Sequence, residues 1–133
     1  LIEINREELA CSAGFFNGEG STWINKQKKG APSVRVGISQ VEREQLDRFD
    51  KATGELGKVY GPIKSKQPRR KPHYVYKTSG HKAQAVIALL WNWLSTQKRE
   101  QAKIAILAWK RDKRIIGRPR SCQSNKPSNS VVE

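Results

Sequence analysis

Of all the stretches in the chain, residues 11–21, CSAGFFNGEGS, leave the fold the fewest options. Three glycines, an alanine and two serines surround Phe15 and Phe16, and the stretch holds one carboxylate, Glu19. A buried helix would carry larger apolar residues, and a flexible loop would not carry two phenylalanines. The spacing points to a helix over 7–17: Leu9, Ala13 and Phe16 share one stripe, and Glu7 and Glu8 suit a first turn. Asn5 is its N-cap, with Glu8 three residues on as a capping-box partner. Gly18 and Gly20 end it. Ala10, Gly14 and Gly18 lie four apart, as do Ala13 and Asn17, so one face is nearly bare and open to close approach by another backbone.

The 133 residues suffice for one core, and a 36% hydrophobic content supports a folded globule. Charge is the strongest global signal: 26 Lys and Arg against 12 Asp and Glu give +14, which points to a polyanionic partner, nucleic acid first. The chain shows no signal peptide, no apolar run of transmembrane length and no lipidation motif, so no membrane partner is expected. Cys11 and Cys122 lack metal-ligand spacing and fit a reducing intracellular compartment: chloroplast, mitochondrion, or bacterial or phage cytoplasm. From Leu56 to Arg99 there is no acid at all, while Lys58, Lys64, Lys66, Arg69, Arg70, Lys71, Lys77, Lys82, Lys98 and Arg99 are present. Ordinary surfaces mix signs, so this block reads as a polyanion groove.

Beyond the first helix, STWINKQ and SVRVGISQ alternate around the turn KKGAPS and predict a β-hairpin. VEREQLDRFDKATG predicts a second helix with Val41, Leu46 and Phe49 inward and Gly54 as its stop. GKVYGPIKSK and HYVYKTS predict a second hairpin joined by the basic loop QPRRKP. A third helix over 81–93 carries Val86, Ile87, Leu89, Leu90 and Trp93. A fourth, TQKREQAKIAILAWKRD, has Ile104, Leu107 and Ala108 as its apolar stripe. Trp91, Trp93 and Trp109 are expected in the core. Residues 1–114 form the domain, and 115–133 a loosely ordered basic and polar tail, whose GRPR is similar to an AT-hook core. The fold class is α+β: a four-stranded antiparallel sheet with helices on one face.

Strand residues alternate sides. With Val34, Val36 and Ile38 toward the helices, Ser33, Arg35, Gly37 and Ser39 face out, together with Trp23, Asn25 and Gln27 on the preceding strand. Tyr60, Lys64, Lys66, Val75 and Lys77 are expected on the same side. These polar and basic groups suit the base edges of a DNA major groove, with Arg69 and Arg70 of the basic loop beside them. His73 and His81 read as surface or phosphate-contacting groups.

SAGFFNGEGS resembles the LAGLIDADG motif of homing endonucleases in its small–Ala–Gly–aromatic–aromatic–acid–Gly–acid–Gly–Ser form, and the order of elements resembles that family's αββαββα fold. The likeness runs from about Glu7 to Trp109. It implies a sequence-specific, divalent-metal-dependent endonuclease that makes double-strand breaks in a long pseudo-palindromic site, with intron or intein homing as its role. One motif copy implies a homodimer packed through Ala10, Ala13, Gly14 and Asn17. Glu19 becomes the metal-binding catalytic acid, with the Gly18 backbone beside it and Mg²⁺ (or Mn²⁺ or Ca²⁺ in its place) as cofactor. Asn17 departs from the acid usual there. Gln40 resembles the residue that orients water, and Lys98 the basic group near the scissile phosphate. A third basic group found in some relatives has no clear counterpart: Glu44 stands there, with Arg43 and Arg48 nearby. An intron RNA maturase, which would bring host intron RNA as a partner, and a non-catalytic DNA-binding regulator are the alternatives on the same scaffold.

Overall fold

A computed structural model describes residues 4–26 and 32–116, with side chains to Arg111. In chain order the elements are α1 (Arg6–Glu19), β1 (Gly20–Asn25), β2 (Ser33–Gln40), α2 (Arg43–Ala52), β3 (Lys58–Ile63), β4 (His73–Ser79), α3 (Gly80–Leu90), a 3₁₀ turn (Trp91–Trp93) and α4 (Thr96–Ile116). The strands form one antiparallel sheet in the order β1-β2-β4-β3. The α+β class, the two hairpins and the helices packed on one face are as expected. No helix among the described residues is long and apolar enough to cross a membrane.

The core lies between sheet and helices. Val34, Val36, Ile38 and Tyr76 from the strands meet Leu9, Ala13, Phe16, Leu46, Phe49, Val86, Ile87 and Leu90. Phe49 is the hub of its aromatic part, 6.1 Å from Phe16, 6.2 Å from Phe15 and 5.0 Å from Tyr76 between ring centroids. These offset and edge-on contacts suit the charge distribution of the rings. Phe15 and Phe16 thus fasten α1 to its own domain and leave its other side bare.

α1 is longer than expected. Asn5 caps it, its side chain accepting from the Glu8 N–H (3.1 Å), but the helix continues through Gly18 and stops only at Gly20. The Glu8 carboxylate does not return to the cap. It accepts two hydrogen bonds from Arg48 of α2 (2.9 and 2.7 Å), which hold it below the usual carboxylate range. α2 ends at Ala52, and Gly54, two residues on, has a φ of +92° that suits a residue without a side chain. Asp50 accepts from the Gly57 N–H (3.1 Å), yet partial burial raises its pKa above the ordinary Asp value, with Glu55 and Asp47 adding to the shift.

Three packing expectations are corrected. Val41 does not face inward: it lies before the first turn of α2 and is 51% exposed. α4 turns the opposite face inward, burying Ala102, Ala105 and Trp109, while Ile104 and Leu107 are 67% and 65% exposed. The reason is the neighbour. α4 runs along the outer edge of β1, where alanines permit close approach and Gln101 accepts from the Thr22 N–H (3.1 Å), covering an edge that would otherwise invite pairing. The third helix stops at Leu90, and Trp91 and Trp93 are half-buried rather than core. Arg99 lies over Trp91 and donates to the carbonyls of Trp91 and Asn92, and Arg6 lies over Trp93. α4 extends to Ile116, and residues 117–133, including GRPR and Cys122, lie outside the described residues.

Candidate nucleic-acid interface and cleavage site

The pairing register sets which side chains share the sheet's outer face. Trp23 pairs with Arg35 and Asn25 with Ser33; Gly37 and Ser39 of β2 pair with Lys77 and Val75 of β4; Lys58 and Tyr60 of β3 pair with Lys77 and Val75 in turn. Each pair points to the side away from the helices, as alternation from Val34, Val36 and Ile38 requires. The ring of Trp23 lies across Gly37, where an added Cβ would sit 2.8 Å from it, so the glycine is a seat for the indole. Lys64 and Lys66 are exposed but lie past the end of β3, in the β3–β4 loop with Arg69 and Arg70. Gln27 lies outside the described residues. Lys58, opposite Lys77, was not among the expected contact residues, although its place in the acid-free block was a signal for it.

At the end of α1 the chain turns directly from helix into β1, so Glu19 is exposed where helix, sheet and loop converge. It lines an open cavity of about 650 Å³ with Ser39, Gln40, Val41, Ser65, Arg70, Lys71 and His73. Ser39 belongs both to this cavity and to the outer sheet face. Glu19 and Gln40, 21 residues apart in sequence, therefore share one hollow. Lys71 and His73 join them from the β3–β4 loop and the start of β4, a convergence that only the antiparallel pairing of β2 with β4 creates. Val41 forms part of the wall.

Lys98 reaches the same region from another side. Ser95 Oγ accepts from its backbone N–H (3.2 Å), capping α4, and its Nζ donates to the carbonyl of Gly20, next to Glu19, at 2.5 Å. Asn17 positions this element. Its Nδ2 donates to the Trp93 carbonyl (3.0 Å) and its Oδ1 accepts from the Ser95 N–H (2.9 Å). Asn17 thus ties α1 to the start of α4 and is turned into its own domain, not outward. Ala13 is likewise wholly buried in the core. The exposed edge of α1 runs through Cys11, Gly14 and Gly18, with Ala10 half-buried beside it, and nothing lies within 4 Å of a Cβ placed at either glycine.

Glu44 is not at the cavity; it lines a separate hollow with Asn5, Glu8, Asp47 and Arg48. Arg43 pairs with Asp47 (3.3 Å) and lies over Tyr74, and Arg48 is held by Glu8. His81 is exposed and packs edge-on to Trp109 at 5.0 Å, away from the sheet's outer face. Among the described residues no three His, Cys, Asp or Glu side chains cluster as a ready metal site. Glu19 is a single exposed carboxylate beside backbone that no side chain crowds at Gly18. Carboxylate, carbonyl and water are the hard oxygen donors Mg²⁺ prefers, and it keeps several waters, so the oxygen donors here are of the type that ion takes.

No family profile matches the chain, and no curated protein matches it by sequence. Its fold does match solved structures. The LAGLIDADG meganuclease I-AabMI bound to uncleaved DNA superposes with a TM-score of 0.62 at 20% identity, over 89% of this chain and 40% of that one. The LAGLIDADG meganuclease I-CpaMI bound to uncleaved DNA gives 0.58 at 19%, over 93% and 42%. The group I intron-encoded homing endonuclease I-CeuI complexed with DNA gives 0.52 at 14%, over 77% and 54%. The chain spans about two fifths to just over half the length of these proteins. It has the LAGLIDADG homing endonuclease fold.

Proposed function

We propose that this domain is one half of a sequence-specific, divalent-metal-dependent DNA endonuclease that cuts both strands of a long pseudo-palindromic target, serving the homing of an intron or intein. The observation that carries the reading is the placing of Glu19 with Gln40 in a cation-lined cavity that opens onto the polar outer face of the sheet. The neighbours of the same fold are complexes with DNA. Duplex DNA lies along the outer face, where Trp23, Asn25, Ser33, Arg35, Ser39, Tyr60 and Lys77 meet base edges and the loop cations meet phosphates. A strand rises about 3.4 Å per residue, close to the roughly 3.4 Å step of bases along a DNA strand. One domain with its loops therefore covers roughly 8–10 base pairs, and two cover about 20.

A second copy of the domain, on another chain, packs against the bare edge of α1 at Gly14 and Gly18 and brings a second Glu19 to the first. Two neighbouring carboxylates repel unless a cation lies between them. The Glu19 carboxylates, with the backbone oxygens beside them, would hold Mg²⁺, with Mn²⁺ or Ca²⁺ as substitutes. The chemistry such an ion would supply there is activation of water and screening of the leaving oxygen. Gln40 holds the water by its amide. Lys98, already anchored on the Gly20 carbonyl, places a fixed positive charge next to Glu19.

The test is cleavage and sequencing of a randomised duplex library with Mg²⁺, comparing the wild type with Glu19→Gln. The wild type should cut a long pseudo-palindrome and the variant should bind it without cutting. Selection without cleavage by both proteins would instead establish a DNA-binding regulator on this fold.

A further inference from the structure

We propose that Arg70 and Lys71 of the β3–β4 loop grip the scissile phosphate and stabilise the charge that grows on it during hydrolysis, an assignment that rests on the endonuclease reading above. The other cations nearby are already committed to partners within the domain. Arg43 is engaged by Asp47 and Tyr74, Arg48 by Glu8, and Arg99 by the carbonyls of Trp91 and Asn92. Lys98 is turned to the Gly20 carbonyl. Arg70 and Lys71 differ: both are exposed, both line the cavity that holds Glu19 and Gln40, and neither side chain has an ion pair or hydrogen bond among the described residues. Two uncompensated cations beside a lone carboxylate make a hollow suited to an anion.

The loop is built to present them. Pro68 and Pro72 flank the Arg69–Arg70–Lys71 run and limit its backbone freedom. Ser65 Oγ accepts from the Gln67 N–H (3.2 Å), and the Arg70 N–H donates to the Gln67 carbonyl (3.1 Å), closing a turn that carries Arg69 and Arg70 themselves. His73 then enters β4, so the cavity wall from Arg70 to His73 ends in a strand fixed by its pairing with the sheet.

The chemistry asks for such groups. A phosphodiester carries one negative charge. As water attacks phosphorus, one P–O bond forms and the bond to the leaving oxygen breaks; the water's proton passes to solvent, and the leaving oxygen takes one from solvent. The charge on the non-bridging oxygens rises in between. A guanidinium meets two such oxygens with paired N–H donors, and an ammonium adds a point charge; both stay protonated throughout.

Single-turnover cleavage of the duplex that the wild type selects, with Mg²⁺ and saturating protein, tests this with Arg70→Ala, Arg70→Lys and Lys71→Ala. Arg70→Ala should lower the saturated rate roughly 100-fold, as loss of one transition-state donor does. Lys71→Ala should lower it less, and Arg70→Lys should recover part of the loss. Without metal, in EDTA, Arg70→Ala should bind the selected duplex more weakly than the wild type does, but should equal it on a duplex with a neutral methylphosphonate at the cut position. A saturated rate unchanged by Arg70→Ala, or an equal affinity loss on both duplexes, overturns the assignment and leaves the endonuclease reading standing. A wild type that cuts no duplex removes that reading, and the assignment with it.

Discussion

Single residues around α1 show how space, more than conformation, sets the local sequence. Gly20 has an ordinary extended backbone, yet a Cβ there would sit 2.1 Å from Phe16 Cδ1, and Phe16 is fully buried. Gly20→Ala should therefore cost about 1–3 kcal/mol by overpacking, read as a lower urea midpoint at unchanged slope. Asp50 shows the electrostatic counterpart. Its folded-state pKa lies above the unfolded one because burial disfavours the charged form. The fold therefore prefers the protonated acid, and this group's contribution weakens as pH rises from below the unfolded value through the folded one. Asp50→Asn keeps an acceptor for the Gly57 N–H without the charge. Its melting temperature should exceed the wild type's at pH 7, and the difference should vanish below the ordinary Asp pKa of 3.8.

At the scale of elements, the join between α1 and α4 is the one on which the site depends. Asn17 makes two hydrogen bonds across it, to Trp93 and Ser95, and Lys98 follows three residues later with its own bond to Gly20. An acid at position 17 would accept from the Ser95 N–H but offer the Trp93 carbonyl no donor, so the amide matches both partners. Asn17→Ala should cost about 1–3 kcal/mol, the penalty of leaving half-buried partners unmet. It should also speed amide exchange at the first turn of α4 while that of β2 and β4 changes little. Asn17→Asp should restore only the bond to Ser95.

For the whole molecule, charge and the open edge of α1 belong together. A chain of +14 repels a second copy of itself, so association through α1 needs either close backbone contact or the screening that DNA provides. Gly14→Ala separates the domain from the assembly. Nothing lies within 4 Å of the new methyl group, and alanine favours a helix, so the isolated domain should gain up to about 1 kcal/mol. If two copies meet along this edge, the same methyl should weaken both their association and the cutting of a two-half target. Sedimentation with and without duplex DNA, set beside thermal melting, reads the two effects separately, and unchanged association would exclude Gly14 from the contact.

Where the periodicity of a segment matched a single environment, the residues alone determined the outcome. Val34, Val36 and Ile38 alternate, and only one side of that strand is apolar, so β2, its faces and the α+β class were legible. So were the cap at Asn5 and the anchoring of Phe16. α4 defeated the same reasoning because it carries two apolar stripes. Ala102, Ala105 and Trp109 went inward and Ile104 and Leu107 outward, since the choice depends on how closely β1 lies, which no local pattern records. Asn17 and Ala13, expected on the bare face of α1, are engaged within the domain for a related reason: spacing shows that residues share a side of a helix, but not which side the core occupies. The site divides in the same way. Glu19 was marked by its motif, and Gln40 and Lys98 by likeness to a family. The meeting of Glu19 and Gln40 with Arg70, Lys71 and His73 in one cavity is decided by the register of β4 on β2 and the turn of the basic loop. Such contacts between distant residues arise from packing several elements at once, and are therefore written in the tertiary structure alone.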